Sequence, residues 1–256
     1  MTIRLLGLNF SPRSGSNSGL LLRRSLERLS EAYPGEVEHE VVDLRDLQVL
    51  PCKACDVCGK TKDGRYIDCV RVHEDDVQGV LDAMVAADGL LIGTPVYFGL
   101  PSDLFSRFIM RTRPLRHQDF RLANRPAGVM AIAGRRSGGA ETTIMAVWLP
   151  LIRNGCLIVG NGDATCQYGA MGWAGKRGDI LTDEWGMEQG FQVAERVFTV
   201  ARLIKTGSDA LGYVNLMRFS YESGMRQVPP AVAPAPSPAD GRRADVKTSD
   251  LMEDAP

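Results

Sequence analysis

The sequence predicts an α/β three-layer sandwich built on a five-stranded parallel sheet with strand order 2-1-3-4-5. Three observations lead there. Apolar runs of strand length alternate with segments whose apolar residues recur at helical spacing. The run GLLIGTPV at 89–96 is almost continuously apolar, as a parallel strand buried on both faces requires. The chain has 256 residues, 44% of them hydrophobic and 24% charged, which is ample for one well-buried domain.

The elements follow in order. IRLLGLN (3–9) is the first strand, and Leu21, Leu22, Ser25, Leu26 and Leu29 mark the helix after it. VEHEVVDL (37–44) reads as the second strand. A helix is expected at about 74–87, opening on Glu74, Asp75 and Asp76, acids suited to the positive end of a helix dipole. The third strand, 89–96, precedes a helix carrying Leu104, Phe105, Phe108 and Ile109. PAGVMAIA (126–133) is the fourth strand, followed by a helix with Ile144, Val147, Trp148, Leu151 and Ile152. CLIVGN (156–161) reads as the fifth strand. The last helix, about 183–205, bears Phe191, Ala194, Val197, Phe198, Ala201 and Ile204, with Asp183 and Glu184 read simply as its start. The folded domain is expected at 1–206, a C-terminal extension at 207–226, and a disordered Pro/Ala-rich tail at 227–256.

Bulk properties narrow the function classes. A net charge of −1 offers no general attraction to nucleic acid or to a membrane. No run approaches the ~18 apolar residues of a membrane span. Arg4 interrupts the first apolar segment, so no signal peptide is read there and a cytoplasmic location is expected. Thiols stay reduced in that compartment, so the four cysteines crowded between Cys52 and Cys69 suggest metal or redox chemistry rather than disulfides.

In the 2-1-3-4-5 order a ligand sits beyond the carboxyl ends of the strands, where the loops after strands 1, 3 and 4 meet. FSPRSGSNSG, the first of these, is longer than an ordinary turn and dense in donors. Ser11, Ser14, Ser16, Asn17 and Ser18 supply hydroxyls and an amide, Arg13 supplies charge, and the next helix points its free N–H groups at the same place. A phosphate cradle is expected; neither a Walker A loop nor a dinucleotide fingerprint is present. Ser16 or Asn17 also suits the helix cap. The loop after strand 3, TPVYFGLPSDL, offers Tyr97 and Phe98 as an aromatic ledge for a planar ring, with core packing of Phe98 as the plainer reading. The loop after strand 4, AGRRSGGAETT, has Gly134, Gly138 and Gly139, which allow close backbone approach to a ligand or simply make a turn.

On SPRSGSNS, TPVYFGLPS, GGAETT and YGAMGWAG, the chain resembles the flavodoxin-like NAD(P)H-dependent FMN reductases, and among them the iron-sulfur flavoproteins, over about residues 1–206. The resemblance implies that Ser11, Arg13, Ser16, Asn17 and Ser18 hold the FMN phosphate. It implies that Pro95, Val96, Tyr97 and Phe98 line the isoalloxazine, with Gly134, Gly138 and Gly139 closing over it. It also implies a homodimer or homotetramer in which a neighbouring subunit helps enclose the flavin.

Cys52, Cys55, Cys58 and Cys69 have the spacing C-x2-C-x2-C-x10-C. The first three match the compact loop that wraps a [4Fe–4S] cluster. Iron-sulfur flavoproteins carry such a loop after strand 2, but their fourth cysteine usually follows sooner than here. Structural zinc and a redox-sensitive thiol group without metal remain alternative readings. His39, His73 and His117 are too scattered for a histidine metal site or dyad. Arg107, Arg111, Arg113, Arg116 and Arg121 form a basic stretch that reads as a solvated face, or as a receiver for a nucleotide phosphate or an acidic partner.

The expected activity is electron transfer from NAD(P)H through FMN to a quinone, flavin or protein acceptor, with the hydride chemistry supplied by the cofactor. Two rivals stand beside it: an FMN/iron-sulfur electron carrier without nicotinamide activity, and a flavin-free regulatory or scaffold domain.

Overall fold

Alternate residues of the first strand β1 (Ile3–Asn9) feed two separate cores. Leu6 and Leu8 face one layer of helices while Ile3 and Leu5 face the other, as the two-residue period of a strand dictates. Residues 1–165 and 167–212 are described in this computed structural model; the sequence expectations for 213–256 lie outside them. Strand β2 (Val37–Asp43) pairs with β1 on one side. After a short antiparallel hairpin, β3 (Gly59–Lys60) and β4 (Tyr66–Ile67), come β5 (Gly89–Pro95) and β6 (Pro126–Ala133), which extend the sheet on the other side. The main-sheet order, β2-β1-β5-β6-β7, is the flavodoxin-like 2-1-3-4-5. All of its pairings are parallel.

The fifth strand differs from expectation. Only β7 (Leu157–Ile158) pairs from the run 156–161; the same edge of β6 is then completed by β8 (Ala170–Trp173). The break has a local cause. Asn161, Gly162 and Asp163 favour a turn, Gly162 takes φ 76°, and the Asn161 N–H bonds back to the Gln167 carbonyl.

Helices α1 (Asn17–Ala32) and α6 (Glu184–Leu211) cover one face; α2 (Val77–Ala86), α3 (Asp103–Arg111) and α5 (Ala140–Arg153) cover the other, with the short α4 (Arg113–His117) beside them. The stripe expected for α6 is buried at Ala194, Val197, Phe198 and Ala201, and the helix runs past 206 to Leu211. Helix α2 begins at Val77, not at Glu74. Asp75 is needed elsewhere: its buried carboxylate pairs with Arg111, which is only 2% exposed. That pairing removes Arg111 from the solvated basic face the sequence suggested. Among the described residues no helix is long and apolar enough to cross a membrane.

Candidate functional site

The first loop is organised from below by a residue the sequence reading passed over. Asn9 ends β1 and is 2% exposed. Its amide donates to Ser16 Oγ (3.3 Å) and to Asp43 Oδ1 (2.7 Å). Its Oδ1 accepts from the Ser11 N–H and from Ser18 Oγ, both at 3.2 Å. A polar residue ending a buried strand was the available signal. Ser16 is the N-cap, accepting from the Gly19 N–H at 3.1 Å. The hydroxyls of Ser11, Ser16 and Ser18 are thus buried in a framework that holds the loop.

What remains exposed is Pro12, Arg13, Ser14 and Gly15, with Asn17 half-buried at the start of α1. The first-turn N–H groups of Asn17 and Ser18 have no partner within the helix, and that turn carries no acidic residue. Anion affinity is therefore unspent here. Asn17 faces another way. Its amide donates to the Lys176 carbonyl and accepts from the Gly178 N–H, both at 2.8 Å, tying on the loop after β8. Arg177 lies between those two bonds, and its Cδ is 3.8 Å from where a Cβ on Gly15 would stand. A cleft of about 110 Å³ runs along the loop, lined by Arg13, Ser14, Gly15, Ser16 and Arg45.

The loops after β5 and β6 meet beside it. A Cβ on Gly139, itself at φ 94°, would stand 2.9 Å from Gly99 Cα, so only glycine lets the two backbones approach. Thr142 Oγ1 donates to the Gly99 carbonyl at 2.9 Å. This contact carries Pro95, Val96, Tyr97 and Phe98 next to Gly138 and Gly139. Phe98 is fully exposed, at 106%, on a left-handed backbone with φ 54°. Core packing of Phe98 is thereby excluded, while Val96 does pack partly against the core. Ser102 joins this loop to the first: its Oγ donates to the Phe10 carbonyl at 2.6 Å. Beyond Gly134, Trp173 comes from β8, with the Arg136 guanidinium 6.0 Å from its ring centre. Asp183 accepts from the Trp173 N–H (2.7 Å) and from Arg136 (3.3 Å), so it does more than start α6. A larger cleft, about 260 Å³ and lined by Arg4, Leu6, Glu38 and Ala83, lies where β1 begins, away from the strand ends where this fold places ligands.

The cysteines ride on an excursion docked against α4. Arg113 pairs with Asp56, Lys60 with Asp119, and the Gln118 amide donates to the Ile67 carbonyl at 2.9 Å. Ala54 and Asp56 both take left-handed backbone, and the Ala54 N–H donates to Cys52 Sγ at 3.3 Å. Burial pushes the Cys58 thiol up to about 11; Arg113 opposes this, while Cys69, Cys55 and Cys52 add to it. The other three thiols thus each lie within electrostatic reach of Cys58. No three His, Cys, Asp or Glu side chains among the described residues are gathered tightly enough to hold a metal. The donor set itself, four thiols with three on one turning loop, fits an iron-sulfur group chemically. Of the basic stretch, Arg107 pairs with Asp103, and Arg116 and Arg121 lie near the rings of Phe120 and Tyr66.

The family model described as NADPH-dependent FMN reductase matches residues 3–167, a span that includes all three loops and the cysteines. An iron-sulfur flavoprotein of Methanocaldococcus jannaschii is 34% identical over 203 residues, covering 79% of this chain and 100% of that protein. An iron-sulfur flavoprotein of Methanosarcina thermophila is 30% identical over 210 residues, covering 81% of this chain and 100% of that protein. Among solved structures, RosB with a bound 8-demethyl-8-formylriboflavin-5'-phosphate superposes with a TM-score of 0.60 at 20% identity, covering 80% of this chain and 81% of that one; this likeness concerns the fold.

Proposed function

Since the chain belongs to the NADPH-dependent FMN reductase family, in its iron-sulfur flavoprotein branch, we propose that this oxidoreductase takes electrons from NAD(P)H and delivers them through FMN to a quinone, flavin or protein acceptor. One juxtaposition carries the reading. At a single end of the sheet an acid-free helix terminus stands beside an aromatic ledge held open on strained backbone. A phosphorylated planar ring suits both halves of that site.

Bound FMN would supply the two-electron chemistry, and a [4Fe–4S] cluster on Cys52, Cys55, Cys58 and Cys69 would add single-electron exchange. The chain's own contribution is placement. Arg13 and the α1 terminus hold the phosphate. Pro95, Val96, Tyr97 and Phe98 orient the ring, and the close-packed Gly138 and Gly139 bring backbone N–H groups toward it. No side-chain acid or base is required for the transfer itself. The exposed Phe98 and Leu100 continue through Thr142 onto an apolar stripe of α5, Met145, Leu149 and Ile152. We take this surface as the seat of a second copy of the chain, which would exclude water from the ring. A cytoplasmic setting, with reduced thiols, fits the same reading.

The test is anaerobic purification of the full chain, wild type beside Cys55→Ser, with visible spectra, iron and sulfide content, and NADH and NADPH oxidation with quinone or ferricyanide. Flavin bands and nucleotide turnover are expected, with iron and sulfide that vanish in the variant. Flavin without turnover by either nucleotide would favour an electron carrier; a colourless protein that cannot be reconstituted with FMN would overturn the proposal.

A further inference from the structure

The resemblance implied that Asn17 touches the flavin phosphate, but both ends of its amide are already engaged. Nδ2 donates to the Lys176 carbonyl and Oδ1 accepts from the Gly178 N–H, each at 2.8 Å. These two bonds join residues 159 and 161 positions apart in sequence. They bracket Arg177 and hold it over the first loop. The segment bearing it is closed on itself: the Lys176 N–H donates to Asp179 Oδ2 at 2.7 Å, the Asp179 N–H donates to the Lys176 carbonyl at 3.2 Å, and Gly178 takes φ 89°. Arg177 therefore has little freedom to swing its backbone away.

The side chain then runs along Gly15, its Cδ 3.8 Å from the position of a Cβ there. The stem of a second basic side chain thus passes the loop that leads into α1 and already carries Arg13. The first turn holds no acid to balance them. The two carboxylates that line the cleft are committed, Asp43 to Arg23 and Asn9, and Asp46 to Arg45. The Asp179 carboxylate on the same turn is likewise engaged, by the Lys176 N–H, and guanidinium groups beside committed carboxylates favour an added anion. A phosphate monoester, with oxygens for two guanidinium groups and for backbone N–H donors, answers that arrangement.

We infer that Arg177 is a direct ligand of the FMN phosphate, and that Asn17 is a positioning residue that acts by holding the 176–178 loop over the site. This rests on the FMN reading above and adds a phosphate ligand supplied from beyond β8.

The experiment titrates the flavin-stripped full chain with FMN and with riboflavin, which lacks the phosphate, by quenching of flavin fluorescence. Wild type, Arg177→Ala, Arg177→Lys, Asn17→Ala and the Asn17/Arg177 double variant are compared. Arg177→Ala is expected to weaken FMN about tenfold or more while leaving riboflavin unchanged, the usual effect of removing a charge-assisted hydrogen bond. Arg177→Lys should recover part of the loss. Asn17→Ala should cost FMN similarly, and adding it to Arg177→Ala should cost little more, because the strut has nothing left to place. Unchanged FMN affinity in Arg177→Ala, or equal losses of FMN and riboflavin, overturns the assignment. A change in the NADPH-to-NADH preference with FMN affinity intact also overturns it, placing Arg177 on the nucleotide. Fully additive losses would make Asn17 a phosphate ligand in its own right and overturn the strut. Wild type that binds neither flavin defeats the FMN reading itself, a separate outcome.

Discussion

Cys156 is 6% exposed, in the core beneath α5, remote in role from the other thiols. Burial pushes its thiol from an ordinary 9.0 up to about 12, with Arg125 pulling the other way. The folded state thus keeps the proton after the unfolded chain has released it. Stability from this group is full below pH 9.0 and is lost as pH rises toward about 12. Thermal unfolding followed across alkaline pH should show a steeper decline in wild type than in Cys156→Ala; identical slopes would contradict the burial argument. The same side chain should resist iodoacetamide at about pH 8 while exposed Cys52 is modified. Asn9 teaches the complementary lesson. Its four hydrogen bonds reach Ser11, Ser16 and Ser18 of the adjoining loop and Asp43 at the end of β2. Donor richness in FSPRSGSNSG singled out the loop, yet composition could not separate the hydroxyls that build it from the groups left facing solvent.

Asp75 shows how an element boundary moves when a tertiary partner is stronger than a dipole. Glu74, Asp75 and Asp76 suit a helix start, but α2 opens at Val77 because Asp75 turns inward. Burial works against its charge, yet the Arg111 guanidinium and the Leu50 and Val77 N–H groups hold its carboxyl below the ordinary value. Arg111 also donates to the Leu50 carbonyl at 2.9 Å, so one ion pair closes both ends of the cysteine excursion. Removing one member of such a pair leaves a buried charge, and Asp75→Ala should cost about 3–5 kcal/mol in urea unfolding. A loss below about 1 kcal/mol would mean that the pair is solvated in solution. The split of the last strand into β7 and β8 has the same character. Apolar continuity in CLIVGN suggested one strand, whereas the turn residues after it break the run and a later segment takes up the pairing.

The whole sheet decides which loops become neighbours. Its order brings the ends of β1, β5 and β6 together, and β8 adds Trp173 and the 176–178 loop from far along the chain. Around that end, Phe98, Leu100 and the α5 stripe of Met145, Leu149 and Ile152 form exposed apolar surface. Surface of this kind is uncommon on a monomer and marks an interface when it is continuous. Sedimentation of the full chain should give a dimer or tetramer, and Leu149→Lys should shift it toward monomer while leaving the fold intact by circular dichroism. Wild type that sediments as a monomer at all working concentrations would remove the second copy from the proposal.

Alternation of apolar runs with helical periods was sufficient to read the parallel sheet, its strand order, and the three loops that converge on the site, because hydrophobic period and loop composition are local properties of a chain. The family resemblance was legible on the same loop motifs, and the family match covers those loops. The inward turn of Asp75, the division of the fifth strand, the buried place of Arg111 and the tether between Asn17 and the 176–178 loop were decided by tertiary structure alone. Each of these depends on which distant group stands opposite, and a buried charge or amide settles on the partner that satisfies it, wherever in the sequence that partner lies.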